Sequence, residues 1–223
     1  MAIAFDKSDS TSGTTSATVS LAAAAANETA IIFVFYGHVG ASFNSVTVDG
    51  SAATQIGSEF VETVGGGFVG SWRAYYKYNP STSAVNYTFT VNDLGDAGTR
   101  IYVCLYSGTA TDPTDSSAGG EIASDTTLTL STTVVASGCW LASAARRFNN
   151  GTISAGTGST MRDAFNVANI VGDSNGTVGT GSQSMAWNLT ESGPMAGFIV
   201  SIEPAATPAS TTSKLFALTG VGK

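Results

Sequence analysis

Apolar side chains recur at every second residue along most of this chain, and no segment sustains the 3.6-residue recurrence of an amphipathic helix. Tyr87, Phe89 and Val91 alternate with Asn86, Thr88 and Thr90, and Ile101, Val103 and Leu105 alternate with Tyr102, Cys104 and Tyr106. Successive side chains of a strand point to opposite faces, so this period predicts strands with one face in a core. The run Ala30-Ile-Ile-Phe-Val-Phe-Tyr36 is apolar throughout and predicts a mid-sheet strand with both faces covered. Leu21-Ala-Ala-Ala-Ala-Ala26 is too short to nucleate a helix alone and carries no apolar stripe, so it reads as a connection into that strand.

Turn chemistry divides the strands. Ser45-Val-Thr-Val-Asp49 ends at Asp49-Gly50, a hairpin dipeptide, and predicts a short partner strand through Ala53 and Ile56. Trp72, Ala74, Tyr76 and Tyr78 fall on one face of the next strand and Arg73, Tyr75 and Lys77 on the other, before Asn79-Pro80 ends it. The polar stretch from Ser107 to Asp125 reads as a long surface loop joining two halves. Beyond it, Thr126 to Leu130, Val134 to Ala144, the trio Met185, Trp187 and Leu189, and the trio Phe198, Val200 and Ile202 read as strands. About a dozen short strands with turn signals between them predict an all-β chain, an antiparallel two-sheet β-sandwich of jelly-roll type. Residues 1–204 form this domain, 205–213 a Pro/Ala/Thr/Ser linker, and 214–223 an apolar tail.

The chain carries 9 Lys+Arg against 16 Asp+Glu, a net charge of -7, which repels phosphate backbones and anionic lipid and argues against nucleic acid or membrane as a partner. No 18-residue apolar stretch is present to span a bilayer as a helix. The start Met1-Ala-Ile-Ala-Phe-Asp6 lacks the basic region and apolar core of a signal peptide, so synthesis and retention in the cytoplasm are expected. Cys104 and Cys139 are then expected as buried free thiols.

Groups for catalysis are scarce: one histidine, His38, and two cysteines. Gly172-Asp-Ser174-Asn-Gly176 has the spacing of a nucleophile elbow, yet Thr-Val-Gly-Thr-Gly follows where a helix would open, and His38 precedes the serine. No enzyme, cofactor site or metal site is predicted. The pairs Asp6 and Asp9, Asp93 and Asp96, and Asp112 and Asp115 read as solvated turn residues without the ligand count of a calcium loop; Asp93-Leu-Gly-Asp96 would be the first choice for that ion. Trp140 and Trp187 read as core, whereas Tyr75, Tyr102 and Tyr106 are the candidate exposed aromatic contacts on which a sugar ring could stack.

The order of these segments resembles a family of β-sandwich domains found in bacteriophage virion proteins and in some large bacterial surface proteins. The landmarks are Thr29 to Tyr36, the hairpin Ser45 to Thr54, Trp72 to Pro80, Tyr87 to Val91 followed by Arg100 to Gly108, Gln183 to Leu189, and Met195 to Pro204. The resemblance implies a structural or adhesive role with no catalytic residues, and the missing secretion signal favours the phage setting. The expectation is a non-enzymatic virion structural protein on the particle surface, a head decoration, short fibre or tail-associated subunit, assembled in the host cytoplasm. Its partners would be its own copies and other virion proteins, with a host-surface glycan as a further candidate. Copies would join through sheet edges and aromatic patches, with Met1 to Asp6 and Lys214 to Thr219 as straps anchored by Ile3, Phe5, Leu215, Phe216 and Leu218. The alternatives are a carbohydrate- or receptor-binding module and an extracellular filament subunit.

Overall fold

A computed structural model describes residues 2–37, 42–65, 68–78, 81–92, 98–148 and 151–206, and these contain fifteen strands and no helix. In chain order the strands are β1 (Ala4–Gly13), β2 (Ser16–Ala22), β3 (Thr29–Gly37), β4 (Ser42–Val48), β5 (Ser51–Ala52), β6 (Thr54–Gly65), β7 (Phe68–Tyr78) and β8 (Ala84–Asn92). They continue with β9 (Gly98–Ser107), β10 (Thr109–Val134), β11 (Trp140–Arg147), β12 (Ile153–Ala155), β13 (Thr160–Asn166), β14 (Asn169–Asp173) and β15 (Gly181–Pro204). The all-β antiparallel sandwich is present, with three sheets where the alternation suggested two. Sheet A runs β1-β9-β3-β7-β6, sheet B runs β2-β8-β4-β5, and sheet C runs β10-β15-β11-β14-β13 with β12 on β15.

Sheet A is the middle layer. Its β3 is buried from Thr29 to Tyr36, as a continuously apolar run requires, because Ile32 and Val34 face sheet B while Ile31, Phe33 and Phe35 face sheet C. The first core joins Val19 of β2, Val46 of β4 and Tyr87 and Phe89 of β8 to Ile101, Val103 and Leu105 of β9. The second joins the other face of sheet A, through Trp72, Tyr102 and Tyr106, to Trp140, Ala142 and Ala144 of β11 and Phe198, Val200 and Ile202 of β15. Alternation in sheet A thus separates two cores, and both faces of its central β3 are covered.

The polar stretch expected to be a loop is the first half of β10, a 26-residue strand paired with the 24-residue β15. Register shifts near Ile122, Asp125 and Thr127 break this ribbon. Beyond the break, Leu128, Leu130, Met185, Trp187 and Leu189 pack on Leu141, Ala145, Ile170 and Ile199, on the side of sheet C away from sheet A. The distal half of the ribbon, with β12, therefore folds back as a further layer over a third core. Bulges bend strands in this way.

The hairpin predicted at Asp49-Gly50 joins β4 to β5, with φ of 45° and 76° at the two turn residues, the paired positive values of a type I′ turn. Of the run read as a connection, Leu21 and Ala22 are the last residues of β2, paired with Val85 and Ala84, and Ala23 to Ala26 is irregular.

Candidate functional site

The predicted site residues separate into three groups. Ile3 is buried in the core between sheets A and C, and Phe5 packs edge-on to Tyr106 with ring centroids 5.8 Å apart. This segment is held within its own chain because β1 pairs along β9 from Ala4 to Gly13. Leu215, Phe216 and Leu218 lie outside the described residues, as do His38 and the Asp93 to Asp96 group.

Tyr75, Tyr102 and Tyr106 are buried, which corrects the expectation that they are exposed contacts. Tyr75 stacks on Phe43 at 5.6 Å between sheets A and B. Tyr102 lies parallel to Trp72 at 6.4 Å, and Tyr106 meets Trp140 edge-on at 6.3 Å, both between sheets A and C. The third sheet covers the side of β9 that a two-sheet sandwich would leave to solvent.

Cys104 and Cys139 are free and buried in different cores, and burial pushes both thiols above their ordinary range. The Ser174 hydroxyl donates to Gly176 O at 2.7 Å and accepts from Leu141 N at 3.1 Å, so it closes its own turn. Asp115 likewise accepts from the amides of Val135 and Ala136. Among the described residues no three His, Cys, Asp or Glu side chains gather as metal ligands.

What the fold does present is two broad uncharged faces. On sheet B, the inward residues of β2, β8 and β4 are Val19, Tyr87 and Val46, so the outward residues are Ser16, Thr18 and Ser20, Asn86, Thr88 and Thr90, and Ser45 and Thr47. Register sets them in rows: Ser16, Thr90 and Ser45 form one, and Thr18, Thr88 and Thr47 the next. Hydroxyls bond across the strands, Thr18 to Thr88 at 3.0 Å and Ser45 to Thr90 at 2.8 Å. At the opposite end of the stack, the folded-back ribbon turns out Thr127, Thr129, Ser131 and Thr133 beside Asn188, Ser184 and Ser182. Charged side chains sit instead on strands at sheet edges, such as Asp6, Lys7 and Asp9 on β1 and Asp112, Asp115, Glu121 and Asp125 on β10. Charges and the Pro113 ring on an edge discourage strand addition there.

One charged cluster lies inside, at the end of sheet A where Gly98, Gly37 and Gly70 share a row next to Glu62. A Cβ at Gly70 would collide with the Glu62 carboxylate and the Phe35 ring, so glycine makes the room these groups occupy. Glu62 is fully buried; its Oε2 accepts from Trp72 Nε1 at 3.1 Å, and its Oε1 has no partner among the described residues. Burial pushes its pKa up to about 7, against the opposing pull of Arg146. The Arg146 guanidinium lies 3.9 Å from the Phe35 ring centroid and 4.0 Å from that of Phe148, and burial holds its pKa below the usual arginine value. Reading the sequence passed over this cluster; its only signal was single charges placed where an apolar alternation calls for core residues.

No protein-family model matches this chain, and neither a curated protein nor a solved structure matches it significantly.

Proposed function

We propose that this chain is a non-enzymatic structural subunit that acts by self-assembly through its two outer faces. The observation that carries the reading is the charge-free hydroxyl surface on both ends of the layered stack. Interface cores are depleted of charge, because an ionised group loses more on leaving water than a hydroxyl that can bond to its neighbour or across the contact. The two faces differ in sequence, so a contact between them is heterologous and propagates as a ring or a filament, or adds the subunit to a lattice. Edges carry the charges, which favours face-on association over the edge pairing that strand patterns alone suggested.

The surface of a bacteriophage particle, as decoration, fibre or tail-associated subunit, is the setting we propose for this assembly, and it rests on the resemblance in segment order. The glycan-binding alternative loses its main support, since the rings it would use are core residues. The test is a pair of single substitutions, Thr88→Arg on sheet B and Ser131→Arg on the folded-back ribbon. Each is expected to reduce assembled mass in light scattering while leaving the melting midpoint near that of the parent. Unchanged assembly in both variants contradicts the reading.

A further inference from the structure

Four arginines reach into the space between layers, and they are neutralised unequally. Arg73 bonds Glu59 at 2.8 Å and Arg162 bonds Asp173 at 2.8 Å. Arg100 and Arg146, facing each other from β9 and β11 at the glycine end, form no ion pair with any described carboxylate. Each guanidinium is held by aromatic rings, Arg146 by Phe35 and Phe148, and Arg100 by Phe165 at 5.5 Å. Rings take the faces of a guanidinium and leave its in-plane N–H groups to an acceptor; Arg100 Nη1 gives one to Thr99 O at 2.8 Å, and the others point into the space.

Among the described residues, two buried polar groups here lack partners: Arg100 Nε and the hydroxyl of fully buried Tyr102. Arg100 pairs with Phe35 across the strands, the Arg146 guanidinium lies over that same Phe35 ring, and Tyr102 stands two residues from Arg100 on the same face of β9, so the three border one space. The neighbouring acids do not neutralise it. Glu62 gives one oxygen to Trp72 and only part of its charge to Arg146, since burial favours its protonated form, and Asp163 is turned to Ser10 Oγ at 2.6 Å; neither forms an ion pair with Arg100 or Arg146. Buried donors without acceptors and interior charges without counter-charges are each costly, and a single oxyanion would relieve both. Arg100 and Arg146 each remain partly exposed, which gives solvent ions a way in.

We propose that Arg100, Arg146 and the Tyr102 hydroxyl form a binding site for a small oxyanion, a carboxylate or phosphate group, between sheets A and C. Planar N–H groups from two guanidiniums and one hydroxyl suit an acceptor with several oxygens better than a spherical ion. This site is independent of the assembly proposed above and stands or falls separately. The oxyanion is either a free ion or an acidic group of another protein.

The test is melting of the full chain at low ionic strength with sodium phosphate or sodium acetate, against sodium chloride at matched ionic strength. Phosphate or acetate is expected to raise the midpoint saturably, by about 2–4 °C, and chloride is not. Arg100→Gln and Arg146→Gln should each remove the response, and Lys77→Gln, on the opposite side of sheet A, should keep it. Neither arginine is ion-paired with a described carboxylate, so removing its charge relieves a burial cost, and both variants are expected to fold with midpoints near or above the parent without added anion. Binding of a Glu-rich peptide by calorimetry then distinguishes the sources: affinity about tenfold above acetate assigns the site to a partner's acid, and lower affinity assigns it to the free ion, about 1.4 kcal/mol separating the two. No saturable response to phosphate or acetate, or a response that survives in both arginine variants, overturns the proposal.

Discussion

Arg162 Nε donates to Asp173 Oδ2 at 2.8 Å, and the Tyr106 hydroxyl donates to the same oxygen at 3.2 Å. Asp173 is fully buried at the end of β14, Arg162 belongs to β13, and Tyr106 belongs to sheet A. The other carboxylate oxygen accepts from Asn175 N at 2.9 Å, so one acid fastens two strands of sheet C, a turn and a neighbouring layer. Breaking a buried pair on one side leaves a charge without compensation, whereas losing one neutral donor costs a single hydrogen bond. Asp173→Ala is therefore expected to cost about 3 kcal/mol in urea unfolding, and Tyr106→Phe about 1 kcal/mol.

Glu62 makes stability depend on pH in the direction opposite to an ordinary surface acid. Its pKa rises from 4.5 in the unfolded chain to about 7 in the fold, chiefly through burial. Below 4.5 the acid is protonated in both states and folding carries no ionisation cost from it. As pH climbs from 4.5 to about 7 the unfolded chain releases the proton first, and the folded state loses about 3 kcal/mol relative to a group that does not titrate. Glu62→Gln is expected to remove that loss. Unfolding free energies of the two proteins, measured at intervals across this range, should diverge as pH rises and run parallel above it.

Gly50 has open space around it, so its replacement isolates backbone strain from packing. At φ of 76° an L side chain is disfavoured by about 1–2 kcal/mol. Gly50→Ala is expected to lower stability by about 1 kcal/mol without altering the core, as checked by chemical unfolding together with unchanged near-ultraviolet circular dichroism.

Strands and turns were legible because both are written locally: the period-two pattern placed β7, β8 and β9, the continuous apolar run placed β3, and Asp49-Gly50 placed the first hairpin. The number of layers was not, since alternation separates two faces without stating what lies against each. Tyr102, Cys104 and Tyr106 read as the outer side of a half-buried strand, yet sheet C covers them. The first half of β10 read as a loop because its Gly, Asp and Ser residues belong to an edge strand only partly covered by its neighbours. The hydroxyl faces were visible as alternating Ser and Thr, but their joining into rows depends on strand register, which face patterns do not fix. The Glu62, Arg100 and Arg146 cluster joins residues from three distant segments, and single charges in apolar alternations do not tell which of them meet.

Self-assembly through the outer faces is tested most directly by the solution mass of the purified full chain over a wide concentration range, by light scattering coupled to size separation. The mass is expected to rise with concentration in multiples of the 22.5 kDa chain, and to fall back toward one chain when Thr88→Arg or Ser131→Arg is introduced. A mass fixed at one chain for the parent at every concentration would contradict it.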